Sequence, residues 1–312
     1  MATTTSITTT YAGENKGKII SAALLSGNTL SNGGFQIRPN ITSREVVRRL
    51  ETDGLIKGGT CDFEDTSTVT STERYLDPKE LQVNLKLCKK DWVADWDGKR
   101  MGYSAHRNGL PDNIQDYLVQ YVAAKVAESI EIMIWQGVDD ADNFDGIETL
   151  LAADATIPAA QKIAGTTIDA SNVLEELEKV YVAIPNELYG KSDLYMYVSQ
   201  NVYKSYAIAL GGFAANGQGA NGINAQGLNQ GFQGLQYAGV KLFMCNGMSN
   251  DVIIAAEQSN LWFGTGIMAD WNEVKLIDTA ATLGDQNVRV VMRFLGAVQY
   301  GVSEDIVTYG IA

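Results

Sequence analysis

Apolar positions recur at helical spacing most clearly in one stretch of the chain. Leu118, Val122, Val126, Ile130, Met133 and Ile134 fall on one helical face. Asp112 stands before them as an N-cap, with Gln115 three residues later in the order of a capping box. Gly137 ends the run. The pattern predicts a helix over Asp112–Gln136 of about 24 residues, roughly 36 Å long at 1.5 Å per residue. Ala123, Ala124 and Ala127 on this helix permit close approach of a packed sheet.

A second pattern has a period of two. Leu81-Gln-Val-Asn-Leu-Lys-Leu87 alternates apolar and polar residues strictly, as a half-buried strand does. The run from Cys61 to Tyr75 is rich in Thr and Val, and Asp77-Pro78 lies between the two as a turn. The two runs predict a long two-stranded arm. An isolated hairpin is at best marginally stable in water, so the arm is expected to lie on something else. Trp92 and Trp96 follow it, either as anchors at a contact or as ordinary core packing.

Later elements mix both periods. Val173, Leu174, Leu177, Val180, Tyr181 and Ile184 predict an amphipathic helix stopped by Pro185, and a further helix runs to about Leu210. Strands are expected at Leu194–Val198, Val240–Cys245, Asp251–Ala256, Glu273–Ile277, Val288–Val298 and Asp305–Tyr309. Helices and strands interspersed in this way argue for an α+β fold with more than one sheet. Residues 1–40 are rich in Thr, Gly and Asn and read as an arm that a neighbouring subunit orders. Gly211 to Gly234 reads as a long irregular loop.

Composition narrows the function. The chain has 312 residues, 45% hydrophobic and 20% charged, enough for one large domain or two modest ones. No apolar run approaches the roughly 18–20 residues that cross a bilayer, and Met1–Thr10 lacks the marks of a secretory signal. No membrane partner is expected. A net charge of -13 argues against a grip on nucleic acid, which needs cations to displace counterions. The charge is uneven: Arg38 to Arg100 is nearly balanced, which suits either salt-bridged contact with a partner protein or a solvated face.

Candidate chemistry is sparse. Cys61, Cys88 and Cys245 are scattered with no metal-binding spacing and read as reduced thiols. Gly217-Gln-Gly219-Ala-Asn-Gly222 matches a dinucleotide fingerprint but lacks the strand before it and the helix after it. A nucleotide-binding enzyme using this loop is the alternative of another class. The acidic loop Asp139 to Gly146 fails the EF-hand order, because Phe144 and Asp145 stand where a ligand and a glycine are needed. His106 is the one histidine, and no G-x-S-x-G elbow or phosphate-binding loop accompanies it. No catalytic residue, metal site or cofactor is expected.

The order of elements resembles the major capsid proteins of tailed bacteriophages, the Hong Kong 97 fold. An amino-terminal arm precedes an extended hairpin, the E-loop, ending in Tyr75-Leu-Asp-Pro-Lys-Glu-Leu-Gln-Val-Asn-Leu-Lys-Leu-Cys88. A long spine helix, Asp112–Gln136, and a glycine-containing exit, Phe144-Asp-Gly-Ile147, come next. Asn260-Leu-Trp-Phe-Gly-Thr-Gly266 is similar to a segment recurrent near the later strands of such proteins. The resemblance implies an arm over 1–40, a connection over 41–60 and an E-loop hairpin over 61–90. It also implies a peripheral domain over 91–150, a mainly axial domain over 151–285 and closing peripheral strands over 286–312. It further implies a self-assembling subunit of pentamers and hexamers, in an icosahedral shell around packaged double-stranded DNA that is bound without sequence specificity. The shell would lie in the virion and assemble in the host cytoplasm, with portal, scaffold or decoration proteins as further partners. The hairpin candidates for contact between subunits are Tyr75, Leu76, Lys79, Leu81, Val83, Leu85 and Lys86, followed by Trp92 and Trp96. Lys79 and Lys86 have no identified crosslinking acceptor. An encapsulin-type nanocompartment shell is the alternative within the fold.

Overall fold

The computed structural model describes residues 27–53, 56, 58, 59, 61, 68–88, 112–140, 142–210, 235–267, 274–279, 284, 285 and 287–311. In chain order it begins with a one-turn helix α1 (Asn28–Ser31) and strands β1 (Gln36–Arg38), β2 (Glu45–Asp53), β3 (Thr68–Leu76) and β4 (Lys79–Cys88). The long helix α2 (Asp112–Gln136), a short α3 (Ile147–Ala153), β5 (Lys162–Ile163), α4 (Val173–Ala183), β6 (Leu194–Ser199) and α5 (Gln200–Ala209) follow. The remainder is β7 (Gln236–Tyr237), β8 (Val240–Cys245), β9 (Ile253–Glu257), β10 (Leu261–Thr265), β11 (Lys275–Asp278), β12 (Asn287–Tyr300) and β13 (Val307–Tyr309). The chain is α+β, as expected. Trp92, Trp96, His106, Gly217 to Gly222, the rest of the 211–234 segment and residues 1–26 lie outside the described residues, as do the side chains of Asp112 and Gln115.

The 14-residue β12 is the centre of a five-stranded sheet. β4 runs antiparallel along one edge, from Lys79 opposite Gly296 to Cys88 opposite Asn287. β10 and β11 pair with successive stretches of the other edge, and β1 adds parallel to β10. Register puts Leu81 with Phe294, Val83 with Met292, Leu85 with Val290 and Leu87 with Val288 on one face. That face joins Val122, Val126, Ile130 and Ile134 of α2 in one core, with Trp135, Phe144, Ile147 and Phe263. Full burial of each such side chain contributes about 1.5–3 kcal/mol.

The second sheet has six strands in the order β5-β13-β9-β6-β8-β7. Its central strands are buried on both faces, so they read as continuous apolar runs. Tyr197, Phe243 and Ile254 face the α2 core, while Met196, Leu242 and Ile253 face α4 and α5 through Val173, Leu177, Val180 and Val202.

Two expectations are corrected. Among the described residues, the runs at 61–75 and 81–87 do not pair with each other. β3 pairs with β2 in a two-stranded sheet, and β4 pairs with β12. The reason is physical: the strict alternation of β4 gives it one apolar face, which needs a core that a free arm does not supply. The closing segment 286–312 is also divided, because β12 lies in the five-stranded sheet while β13 lies in the six-stranded one.

The exit from α2 depends on two glycines. The Gly146 amide donates to the Gly137 carbonyl at 2.8 Å, and the two backbones cross in contact. A Cβ on Gly146 would lie 2.5 Å from the Gly137 nitrogen and 2.5 Å from the Trp135 carbonyl oxygen. Among the described residues no helix is long and apolar enough to cross a membrane.

Candidate assembly surface

β2 and β3 form a hairpin of nine register pairs, from Glu45 opposite Leu76 to Asp53 opposite Thr68. At about 3.4 Å per residue it reaches roughly 30 Å. Arg48 faces Glu73 across the strands, with the guanidinium 2.9 Å from the carboxylate. The pair forms a sheet of its own, and three of its apolar side chains are exposed: Val46 is 41%, Tyr75 47% and Val69 64% exposed. A hairpin of this composition is marginal alone.

Its root, by contrast, is clamped. The Arg74 guanidinium donates to Asp154 at 2.6 Å and lies over the Tyr300 ring at 4.4 Å. The Tyr300 hydroxyl donates to the same carboxylate oxygen at 2.6 Å, and the Thr156 hydroxyl and amide donate to the other at 2.6 and 2.8 Å. Burial opposes the charge on Asp154, but hydrogen bonds from Thr156, Tyr300 and Arg74 outweigh it and hold the carboxyl well below the usual range. Burial and the Asp154 contact push the Tyr300 phenol up. Leu76 packs with Ile41 and Ala297, and a Cβ on Gly264 would come within 2.7 Å of Leu76. The Gln299 amide donates to the Tyr75 carbonyl at 2.9 Å, and Arg44 bonds Asp77 while lying 5.3 Å over the Tyr75 ring.

A second fastening holds α1 to α2. The Thr29 amide donates to the Glu131 carboxylate at 3.1 Å, the Thr29 hydroxyl donates to it as well, and the Trp135 indole donates to Thr29 Oγ1 at 2.8 Å. Burial raises the Glu131 carboxyl despite these donors. The Tyr197 hydroxyl donates to the Gly34 carbonyl at 2.6 Å. The part of the expected 1–40 arm that is described is therefore tied to its own subunit, because Thr29, Leu30 and Phe35 find buried positions there. That corrects the expectation of an arm ordered wholly by a neighbour.

The described residues expected at subunit contacts divide into four groups. Tyr75 and Lys86 are exposed. Leu76 and Leu81 are buried inside the subunit, at 0% and 6%, which removes them as direct contacts, since each meets its own sheet first. Val83 and Leu85 are half-buried against the α2 core and line a groove of about 820 Å³ between β4 and α2, with Tyr121, Val126 and Met133 opposite. Lys79 is engaged within its own chain. Its ammonium donates to the Asp139 carboxylate and the Asp140 carbonyl, and to the Asn143 carbonyl at 2.9 Å. A built-in cation thus sits in the acidic loop where a metal reading would place an ion.

Sequence reasoning missed β2, Arg44, the Arg74–Asp154–Tyr300 clamp and the Glu131–Thr29–Trp135 fastening. The one available signal was Glu45-Val-Val-Arg-Arg-Leu50, a β-rich run that opens the nine-residue β2.

No protein-family model matches the chain, and no curated protein does. Solved structures do match. The capsid of a native GTA particle computed with C5 symmetry aligns at a TM-score of 0.60 and 12% identity, over 99% of this chain and 94% of that one. A chain from Mycobacterium phage Cain aligns at 0.56 and 16% identity, over 92% and 91%. A chain of the satellite phage P4 procapsid, which includes the size determination (Sid) protein, aligns at 0.54 and 9% identity, over 94% and 98%. At these identities the likeness is one of fold, and it runs nearly end to end: the chain has the fold of phage capsid and procapsid structures.

Proposed function

We propose that the chain is the major capsid protein of a phage-like particle, a structural subunit without catalytic activity. Copies of it build pentamers and hexamers of an icosahedral shell that encloses double-stranded DNA in the virion. The observation that carries this reading is the β2–β3 hairpin. It is clamped hard at its root, and its described side chains from Thr68 to Ser71 are exposed, the arrangement of an arm built to lie on a neighbour. In this reading the hairpin is the E-loop, α2 is the spine helix of the peripheral domain, and the six-stranded sheet with α4 and α5 belongs to the axial domain. Many extended contacts repeated around a closed shell multiply modest energies per contact into a stable particle.

Electron microscopy of purified protein under assembly conditions tests it. Closed shells of uniform size with fivefold and sixfold capsomers are expected. Monodisperse monomer under all conditions would overturn the reading. Shells that copurify with an enzyme cargo and hold no DNA would move it to a nanocompartment.

A further inference from the structure

Two carboxyl groups enter the interior without a cation. Glu131 on α2 is 4% exposed, and Glu148 on α3 is half-buried. Among the described residues neither forms an ion pair, and hydrogen bonds alone oppose the burial of their charge. An ionised carboxylate in such surroundings is unfavourable, and a bound proton removes the charge. Asp154 marks the contrast, since the Arg74 guanidinium lies 2.6 Å from it.

Both groups meet the same turn, residues 246–249, between β8 and β9. The Ser249 amide and hydroxyl donate to Glu148 at 2.8 and 2.6 Å. The Asn246 and Gly247 amides join Thr29 in favouring charge on Glu131. The Gln136 amide donates to the Gly247 carbonyl at 2.6 Å, and a Cβ on Gly247 would run into the Glu131 carbonyl, so the turn lies tight on α2. Each carboxyl also faces a hydroxyl, Thr29 for Glu131 and Ser249 for Glu148. A hydroxyl both donates and accepts, so a protonated carboxyl can donate where the charged one accepted. Thr29 Oγ1 accepts from Trp135 and keeps a second lone pair, and its own proton can turn to the Cys245 sulfur beside it. Ser249 is half-buried, and its proton can turn to water. Cys245 is the titratable group that faces both carboxyls, and burial together with their charge holds its thiol neutral. The charged pair on the same helix as Glu131, Lys125 and Glu128, is exposed and closed on itself at 2.6 Å.

We propose that Glu131 and Glu148 are a pair of proton-binding carboxyls that tie the turn at 246–249 to α2 and α3 more firmly in mild acid than at neutral pH. The proton comes from solvent and joins a carboxylate oxygen, and the bond between carboxyl and hydroxyl persists with its direction reversed. Burial lifts both groups above the ordinary value of about 4.3 despite their donors. The stability each contributes is complete below that value and is lost as the pH rises through the folded-state pKa. The sign is opposite to that of Asp154.

Thermal unfolding of the whole chain at constant ionic strength tests the assignment. From pH 8 to pH 5 the wild type is expected to gain about 2 °C or more in Tm. Glu131→Gln with Glu148→Gln places amides that donate to the same hydroxyls and carry no charge, and this variant is expected to gain less over the same range. A folded double variant that keeps the full wild-type pH slope would overturn the assignment. Infrared titration of the wild type reads the same event without any substitution. A protonated-carboxyl band that grows between pH 8 and pH 5 is expected, and carboxylates that all stay ionised down to pH 5 would overturn the assignment even if the double variant does not fold.

Discussion

β4 and the β2–β3 hairpin occupy neighbouring stretches of sequence and are of similar length, yet they solve opposite problems. Every second residue of β4 meets an apolar partner on β12, so the strand is stabilised by its own chain. Along the hairpin, Val46 stands opposite Tyr75, Val47 opposite Arg74 and Arg48 opposite Glu73, and neither face is continuously apolar. The strand is finished inside the subunit, whereas Thr68, Val69, Thr70 and Ser71 of the hairpin stay exposed. Alternation distinguishes the two: Leu81 to Leu87 carries it and β12 repeats it from Val288 to Phe294, whereas neither β2 nor β3 does.

Substitutions can break that comparison or sharpen it. Phe294→Ala empties a position in the β4–β12 core and is expected to cost about 3–5 kcal/mol in denaturant unfolding. Arg74→Met leaves Asp154 without its cation and is expected to cost about 1–3 kcal/mol. It should also raise proteolytic cutting within the hairpin while the β4–β12 sheet stays protected from hydrogen exchange. Acid acts on the same clamp. Asp154 has a folded-state pKa below its unfolded value of about 3.9, so its stabilisation is complete above that value and is lost as the pH falls below it. Thermal unfolding from pH 6 to pH 3 should show that loss in the wild type and a flatter acid limb in Asp154→Asn. Val69→Thr on the uncovered hairpin is expected to change unfolding by no more than about 0.5 kcal/mol, while lowering the yield of shells in light scattering. A loss of stability from Val69→Thr as large as that from Phe294→Ala would end the comparison, because the hairpin would then be packed by its own subunit.

Much of the fold was legible in local pattern. α2 occupies Asp112–Gln136 as its period and its glycine stop predict, and α4 ends just before Pro185. The strand expected at Val240–Cys245 is β8, residue for residue. Pairing was not legible. β4 and β12 lie about 200 residues apart, and nothing within the period of either names the other. β2 was passed over as a connection because Gly54, Gly58 and Gly59 follow it, which hides its equal length with β3. The clamp at the hairpin root combines Arg74, Asp154 and Tyr300 from three distant elements, so it exists only once the sheets have formed. The partners of Lys79 were hidden for a similar reason. Its position on a strand is local information, while the acidic loop that binds it comes 60 residues later.

The central place of β12 also bears on timing during synthesis. Four of the five strands in its sheet, β1, β4, β10 and β11, are made before it, and three of them pair with it directly. Ala297, Gln299 and Tyr300, which complete the hairpin root, lie on the same strand. Pairings across so much sequence form slowly, and here they must wait until residue 300 has left the ribosome. At about 5–20 residues per second, a nascent chain spends ten seconds or more, on that same scale, with β4 made and β12 still to come. In that interval the hairpin lacks its root, so under the capsid proposal an unfinished chain has no fixed arm to offer a neighbour.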